Sequence, residues 1–181
     1  MKILFVTGNK GKLEEARSIL EGFEVDALNA DIPEIKSLDQ HQVVIEKAKK
    51  AFEVAKKPLF VEDTALYLKS FKDFPGTYTA FAYETIGLEG ILKLIEGMNK
   101  QAHFLALVAF VDEEGKTTVL EGRCDGLISK EIIPPVDETL PYDSVFIPLE
   151  GDGRTFSQMT KKEKDALSHR GRVLRKLREW L

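Results

Sequence analysis

The chain has 181 residues, of which 43% are apolar and 31% charged, enough apolar sequence for one globular domain with a sizeable core. Thirty acidic residues against 26 basic ones give a net charge of -4, which argues against broad attraction to nucleic acid or to an anionic membrane. One cysteine, Cys124, and three scattered histidines exclude an internal disulfide framework and a tetrahedral Cys/His zinc cluster.

At the N-terminus, one lysine and the apolar run Ile3 to Val6 are too short for a signal peptide or a membrane span. No other stretch approaches the roughly 20 apolar residues a membrane helix needs, so no membrane association and a cytoplasmic location are expected. Ile3 to Val6 reads instead as a first strand. The polar loop Thr7-Gly8-Asn9-Lys10-Gly11-Lys12 follows, and Leu13, Ala16, Ile19 and Leu20 recur at helical spacing.

Phe23 to Leu28 reads as a second strand and Asp31 to Ile35 as a loop, after which Val44, Ile45, Ala48, Ala51, Phe52 and Ala55 line one face of a helix that Pro58 ends. Leu59-Phe60-Val61 is a short strand expected to deliver Glu62-Asp63-Thr64 to its C-terminal end, where open α/β sheets usually bind ligands. Phe74-Pro75-Gly76-Thr77 is a turn, and Gly87 to Glu96 a short helix with Leu88, Ile91, Leu92 and Ile95 inward. Ala102 to Val111 and Thr117 to Arg123 form a hairpin about Glu113 to Lys116, with Cys124 a small buried strand residue, and Gly126 to Ile133 adds another strand. Pro134, Pro135 and Pro141 stiffen a loop leading to Tyr142-Asp143. Thr160-Lys161-Lys162-Glu163 is a capping box opening one last helix, whose apolar face is Ala166, Leu167, Val173, Leu174, Leu177 and Trp180.

Three clusters carry chemistry. The loop Thr7 to Lys12 joins a strand to a helix, where glycines admit a phosphate, first-turn amides attract it and Lys12 adds charge; it lacks the GK[ST] ending of a Walker A loop, and a plain turn with solvated lysines fits the same residues. Glu62 and Asp63 alternate in direction, so only one faces a given cleft wall. Asp63 with Glu34 would hold Mg²⁺, which takes oxygen ligands together with phosphate oxygens, although both acids also suit a solvated surface. Ser168-His169-Arg170-Gly171-Arg172, inside the last helix and near Lys164, offers donors to a phosphate or a base edge, or else a basic solvated face.

In order, Thr7-Gly8-Asn9-x-x-Lys12-x-x-Glu15, Glu62-Asp63-Thr64, Phe74-Pro75-Gly76, Tyr142-Asp143, Thr155-Phe156, Glu163-Lys164 and Ser168-His169-Arg170-Gly171-Arg172 resemble the inosine triphosphate pyrophosphatase family, the Ham1-like non-canonical purine nucleoside triphosphate pyrophosphatases, across essentially the whole chain. The resemblance implies an elongated α/β fold with a long mixed central sheet and a cleft between two lobes, inseparable in sequence, so that residues 1–181 form a single domain. It also implies a homodimer and a purine triphosphate substrate cleaved to monophosphate and pyrophosphate. By the same resemblance, Thr7, Gly8, Asn9 and Lys12 would bind the triphosphate, Glu34 and Asp63 would bind Mg²⁺, and Asp63 would activate the attacking water. Thr64, Leu140, Tyr142, Asp143, Lys164, Ser168, His169 and Arg170 would meet the substrate.

The chain departs from the family pattern twice. Where the family usually reads Gly-Phe-Gly-Tyr-Asp, Thr139-Leu140-Pro141-Tyr142-Asp143 puts a leucine at the ring expected to stack on the purine, and Ala65 replaces the usual glycine after Glu-Asp-Thr. Two alternatives stay open: a related pyrophosphatase with another base preference, for canonical or modified nucleotides, and a nucleotide-binding homologue without turnover.

Overall fold

A computed structural model of the chain describes residues 2–181; Met1, at the head of the expected first strand, lies outside the described residues. Strand β1 (Lys2–Val6) is flanked by two parallel partners, β2 (Glu24–Leu28) and β3 (Leu59–Leu68). Parallel neighbours need long crossovers, supplied by helices α1 (Lys10–Ile19) and α2 (Gln40–Ala55). Beyond β3 the sheet turns antiparallel through β5 (Gln101–Val111), β6 (Thr117–Ile128) and the short β7 (Phe146–Pro148), while the two-residue β4 (Pro75–Gly76) pairs with the far half of β3. The result is the expected long mixed sheet, seven-stranded, in the order β2-β1-β3-β5-β6-β7.

The remaining helices are α3 (Thr79–Leu94), α4 (Lys161–Leu167) and α5 (His169–Trp180). Helices α1 and α5 cover one face of the sheet, burying Phe5, Phe60, Val173, Leu174 and Leu177, and α2 covers the other with Val44, Ala48, Val61 and Leu107. A third core of Leu66, Leu88, Ile91, Phe104, Tyr142, Phe146 and Phe156 gathers α3 and β7 around the far ends of β3, β5 and β6. Cys124 is buried in that core, as expected of a strand cysteine. No helix among the described residues is long and apolar enough to cross a membrane.

Four local expectations are corrected. Glu62-Asp63-Thr64 lies in the middle of a ten-residue strand, because Ala65, Leu66 and Leu68 continue the pairing with β5 to Ala102. The helix expected from Gly87 to Glu96 is the second half of α3, which starts at Thr79 and breaks at Gly87 (φ 65°, ψ -178°). The strand expected from Gly126 to Ile133 is the end of β6, which runs unbroken to Ile128. The last helix is two helices: Ser168 has φ -67° and ψ 155°, ends α4 and caps α5, so His169 and Arg170 open a helix rather than lying inside one.

Candidate active site

The site is built where β1 stops. Strand β1 pairs with β3 only at Leu59 and Phe60, so Glu62, Asp63 and Thr64 extend past its end, beside the loop that follows Val6. A strand end with neighbours whose crossovers lead away on opposite faces is the crevice where α/β sheets usually take ligands. In that loop Asn9 caps α1: its Oδ1 accepts from the Lys12 amide at 2.9 Å, its amide donates to Thr7 Oγ1 at 3.1 Å, and its Nδ2 donates to the Thr139 carbonyl at 2.8 Å. One asparagine thus sets the helix start and ties it to the segment carrying Leu140 to Asp143. The approach is close enough to require Gly11, since a Cβ there would lie 2.5 Å from Thr139 Oγ1 and 3.0 Å from Leu140 Cγ.

On β3, alternation sends Glu62 and Thr64 toward α5 and Asp63 toward α2. Glu62 is buried and receives Lys12 Nζ at 2.6 Å and Arg170 Nε at 3.2 Å. Arg170 also donates to Glu15 at 2.5 Å and to Thr64 Oγ1 at 3.2 Å. Glu15 in turn meets Lys164 at 2.5 Å, and Lys164 pairs with Asp143. Lys12, Glu62, Arg170, Glu15, Lys164 and Asp143 therefore form one chain of alternating charge, three of each sign, in which no buried charge stands alone, as burial of ions demands.

Burial pushes the Glu15 carboxyl up, but Arg170 and Lys164 overcome it and hold the group at about 2. The same contest, won by Arg170 and Lys12, holds Glu62 well below the ordinary carboxylate range. Asp63 differs: burial raises it, with Lys12 and Lys47 only partly opposing, and its Oδ2 is buried with no hydrogen-bond partner. Burial likewise raises Asp143 against the pull of Lys164. Burial, reinforced by the charge of Arg170, drives His169 well below its usual value, so the imidazole is neutral. It is stacked on Phe104 at 4.4 Å, and its Nδ1 has no partner.

The break between α4 and α5 aims these donors. Ser168 Oγ accepts the Gly171 amide at 3.0 Å, and a Cβ on Gly171 would lie 1.8 Å from the Asp165 carbonyl, so only glycine lets the two helices meet at this angle. A cavity of about 290 Å³ opens among Asn9, Lys12, Thr64, Leu140, Tyr142, Asp143, His169 and Arg170, eight of the residues singled out from sequence.

Of the others, Gly8 is exposed and Thr7 supports the loop; Ser168 is buried, its hydroxyl used as the α5 cap; and Lys164 stands behind Asp143. Asp63 lies outside this cavity's lining, on the α2 side of β3. Glu34 is exposed and paired with Lys47 at 2.5 Å, and Lys47 lies near enough to Asp63 to act on its charge. Sequence reasoning gave no role to Gln40, whose buried amide donates to the carbonyls of Asp63 at 3.2 Å and Leu105 at 3.0 Å while accepting from the Tyr67 hydroxyl. It also missed Thr79 and Tyr83 as cavity walls, because the first half of α3 lacks a clear apolar stripe.

The Ham1 family model matches residues 3–180. The chain is 42% identical to the dITP/XTP pyrophosphatase of Thermococcus kodakarensis, covering 100% of this chain and 97% of that one. It is 37% identical to inosine triphosphate pyrophosphatase 1 of Trypanosoma cruzi, covering 96% and 88% respectively. Among solved structures, the Staphylococcus aureus Ham1 protein superposes with a TM-score of 0.81 at 21% identity, over 99% of this chain and 97% of that one, a likeness of fold.

Proposed function

This chain belongs to the Ham1 family, and from that premise we propose that it hydrolyses non-canonical purine nucleoside triphosphates such as ITP, dITP and XTP to monophosphate and pyrophosphate. The observation that carries the reading is a single cavity lined by a capped helix start with Lys12 and by a neutral imidazole beside a buried guanidinium. The amides of α1 and the Lys12 ammonium take the phosphates. Arg170 spends three of its five N–H donors on Glu62, Glu15 and Thr64, which leaves donors for the base. With His169 it faces the 6-oxo edge of hypoxanthine or xanthine. Adenine presents an amino group there, and donor against donor leaves both unsatisfied.

The unpartnered Asp63 Oδ2 suits a hard cation. Mg²⁺ takes one or two carboxylates and draws its other oxygens from phosphate and water. Asp63 and Glu34 would hold it, Glu34 giving up Lys47, and the ion would neutralise charge on the phosphates. Ionised Asp63, made a stronger base by its burial, accepts the proton of a water. That water bonds to the α-phosphorus as the bond to the bridging oxygen breaks, and pyrophosphate leaves. The chain works as a homodimer in the cytoplasm, clearing deaminated purines from the nucleotide pool.

Pyrophosphate release from ITP, XTP, GTP and ATP at equal concentration with Mg²⁺ tests the reading. ITP and XTP should turn over far faster than ATP, and chelation of the metal should abolish release. A flat profile, or a best substrate lacking a 6-oxo purine, would overturn the base assignment.

A further inference from the structure

The cavity is lined by two unlike segments besides the loop that carries Lys12. One is Leu140 with Pro141, seated against the first turn of α1. The other comes from α3, where Thr79, Ala80 and Tyr83 line the space. Three aromatic residues reach the cavity: Phe104, Tyr142 and Tyr83. Phe104 is 4% exposed and has one ring face covered by His169 at 4.4 Å. Tyr142 is 7% exposed, and its hydroxyl is committed to the Thr79 carbonyl at 2.8 Å. Tyr83 alone is half-exposed, with its ring 6.1 Å from that of Tyr142.

We propose that Tyr83 is the aromatic platform on which the purine rests, in a cavity that Leu140 and Pro141 also line. This deepens the nucleotide reading and rests on it. A planar base in a cavity lined by aliphatic side chains and a ring gains most from the ring, because offset stacking adds to the area buried. Tyr83 stands four residues after Thr79, one helical turn along α3, and Thr79 anchors that turn: its Oγ1 accepts the Leu66 amide at 2.8 Å and donates to the Gly76 carbonyl at 2.6 Å. The platform is thereby fixed to β3, the strand that also carries Asp63 and Thr64, so base and phosphates are positioned from one rigid element.

Steady-state hydrolysis of ITP by the whole protein and by Tyr83→Leu, Tyr83→Met and Tyr83→Phe, with inorganic triphosphate as a competing ligand lacking a base, tests this. Loss of the ring in Tyr83→Leu and Tyr83→Met should raise KM about tenfold, within the range for losing a base–aromatic contact. Inhibition by triphosphate should be unchanged, and Tyr83→Phe should recover the affinity. An unchanged KM in a folded Tyr83→Leu or Tyr83→Met, or weaker triphosphate inhibition in parallel with KM, overturns the assignment while leaving the hydrolase reading intact. A wild-type protein that releases no pyrophosphate from ITP or XTP overturns both.

Discussion

Glu15 holds Arg170 and Lys164 at once, and both cations are buried. Removing its charge leaves Arg170 to Glu62 and Lys164 to Asp143, each short of one carboxylate, so Glu15→Gln should cost up to about 3–5 kcal/mol of stability, read from urea unfolding. The sign of its pH dependence follows from its lowered carboxyl. Held at about 2 against an ordinary 4.5, the group contributes its full stabilisation above about pH 4.5 and loses it as pH falls toward 2. The raised carboxyls of Asp63 and Asp143 act in the opposite sense, since ionising them in the folded protein costs stability as pH rises. The wild-type unfolding midpoint should therefore drop between pH 4.5 and 2, and Glu15→Gln should flatten that drop. At this scale the sequence was partly legible. Motif order brought out the charged residues of the site, but Glu15 carried no sign that it would knit α1 to α5, because a pairing across 155 positions leaves no local pattern.

Periodicity found most helices and strands, and failed where tertiary contacts override it. Lys161 to Trp180 is amphipathic enough to read as one helix, yet Ser168 divides it, and the division turns His169 and Arg170 toward the cavity. Gly171, a residue type that weakens a helix interior, is what the close approach to the Asp165 carbonyl demands. Gly11 does the same for the loop bearing Leu140. Gly11→Ala must push Thr139 and Leu140 away from α1, as its Cβ would sit 2.5 Å from Thr139 Oγ1. We expect it to cost about 1–3 kcal/mol, as overpacking usually does, and to raise KM for ITP by more than it lowers kcat. A variant with unaltered KM would show that the loop's seat on α1 does not shape the cavity.

Across the whole molecule, the parallel strands create the crevice and the antiparallel ones carry the opposing wall. Strand β3 belongs to both, pairing with β1 over two residues and with β5 over ten, so Thr64 lines the cavity, Glu62 lies buried behind it, and Asp63 points to the other face of the sheet. The mixed sheet was legible from strand and helix order, whereas the length of β3 was not, since Glu62, Asp63 and Thr64 interrupt its apolar run at the place where the site needs charge. The central claim is that this crevice hydrolyses a nucleoside triphosphate with Asp63 as the group that activates water. Asp63→Asn keeps the shape and removes a buried charge whose Oδ2 has no partner, so it should leave the thermal midpoint level with wild type or above it. Pyrophosphate release from ITP by Asp63→Asn is the direct measurement: kcat should fall by about a hundredfold or more, and a folded variant that turns over at the wild-type rate would contradict the account.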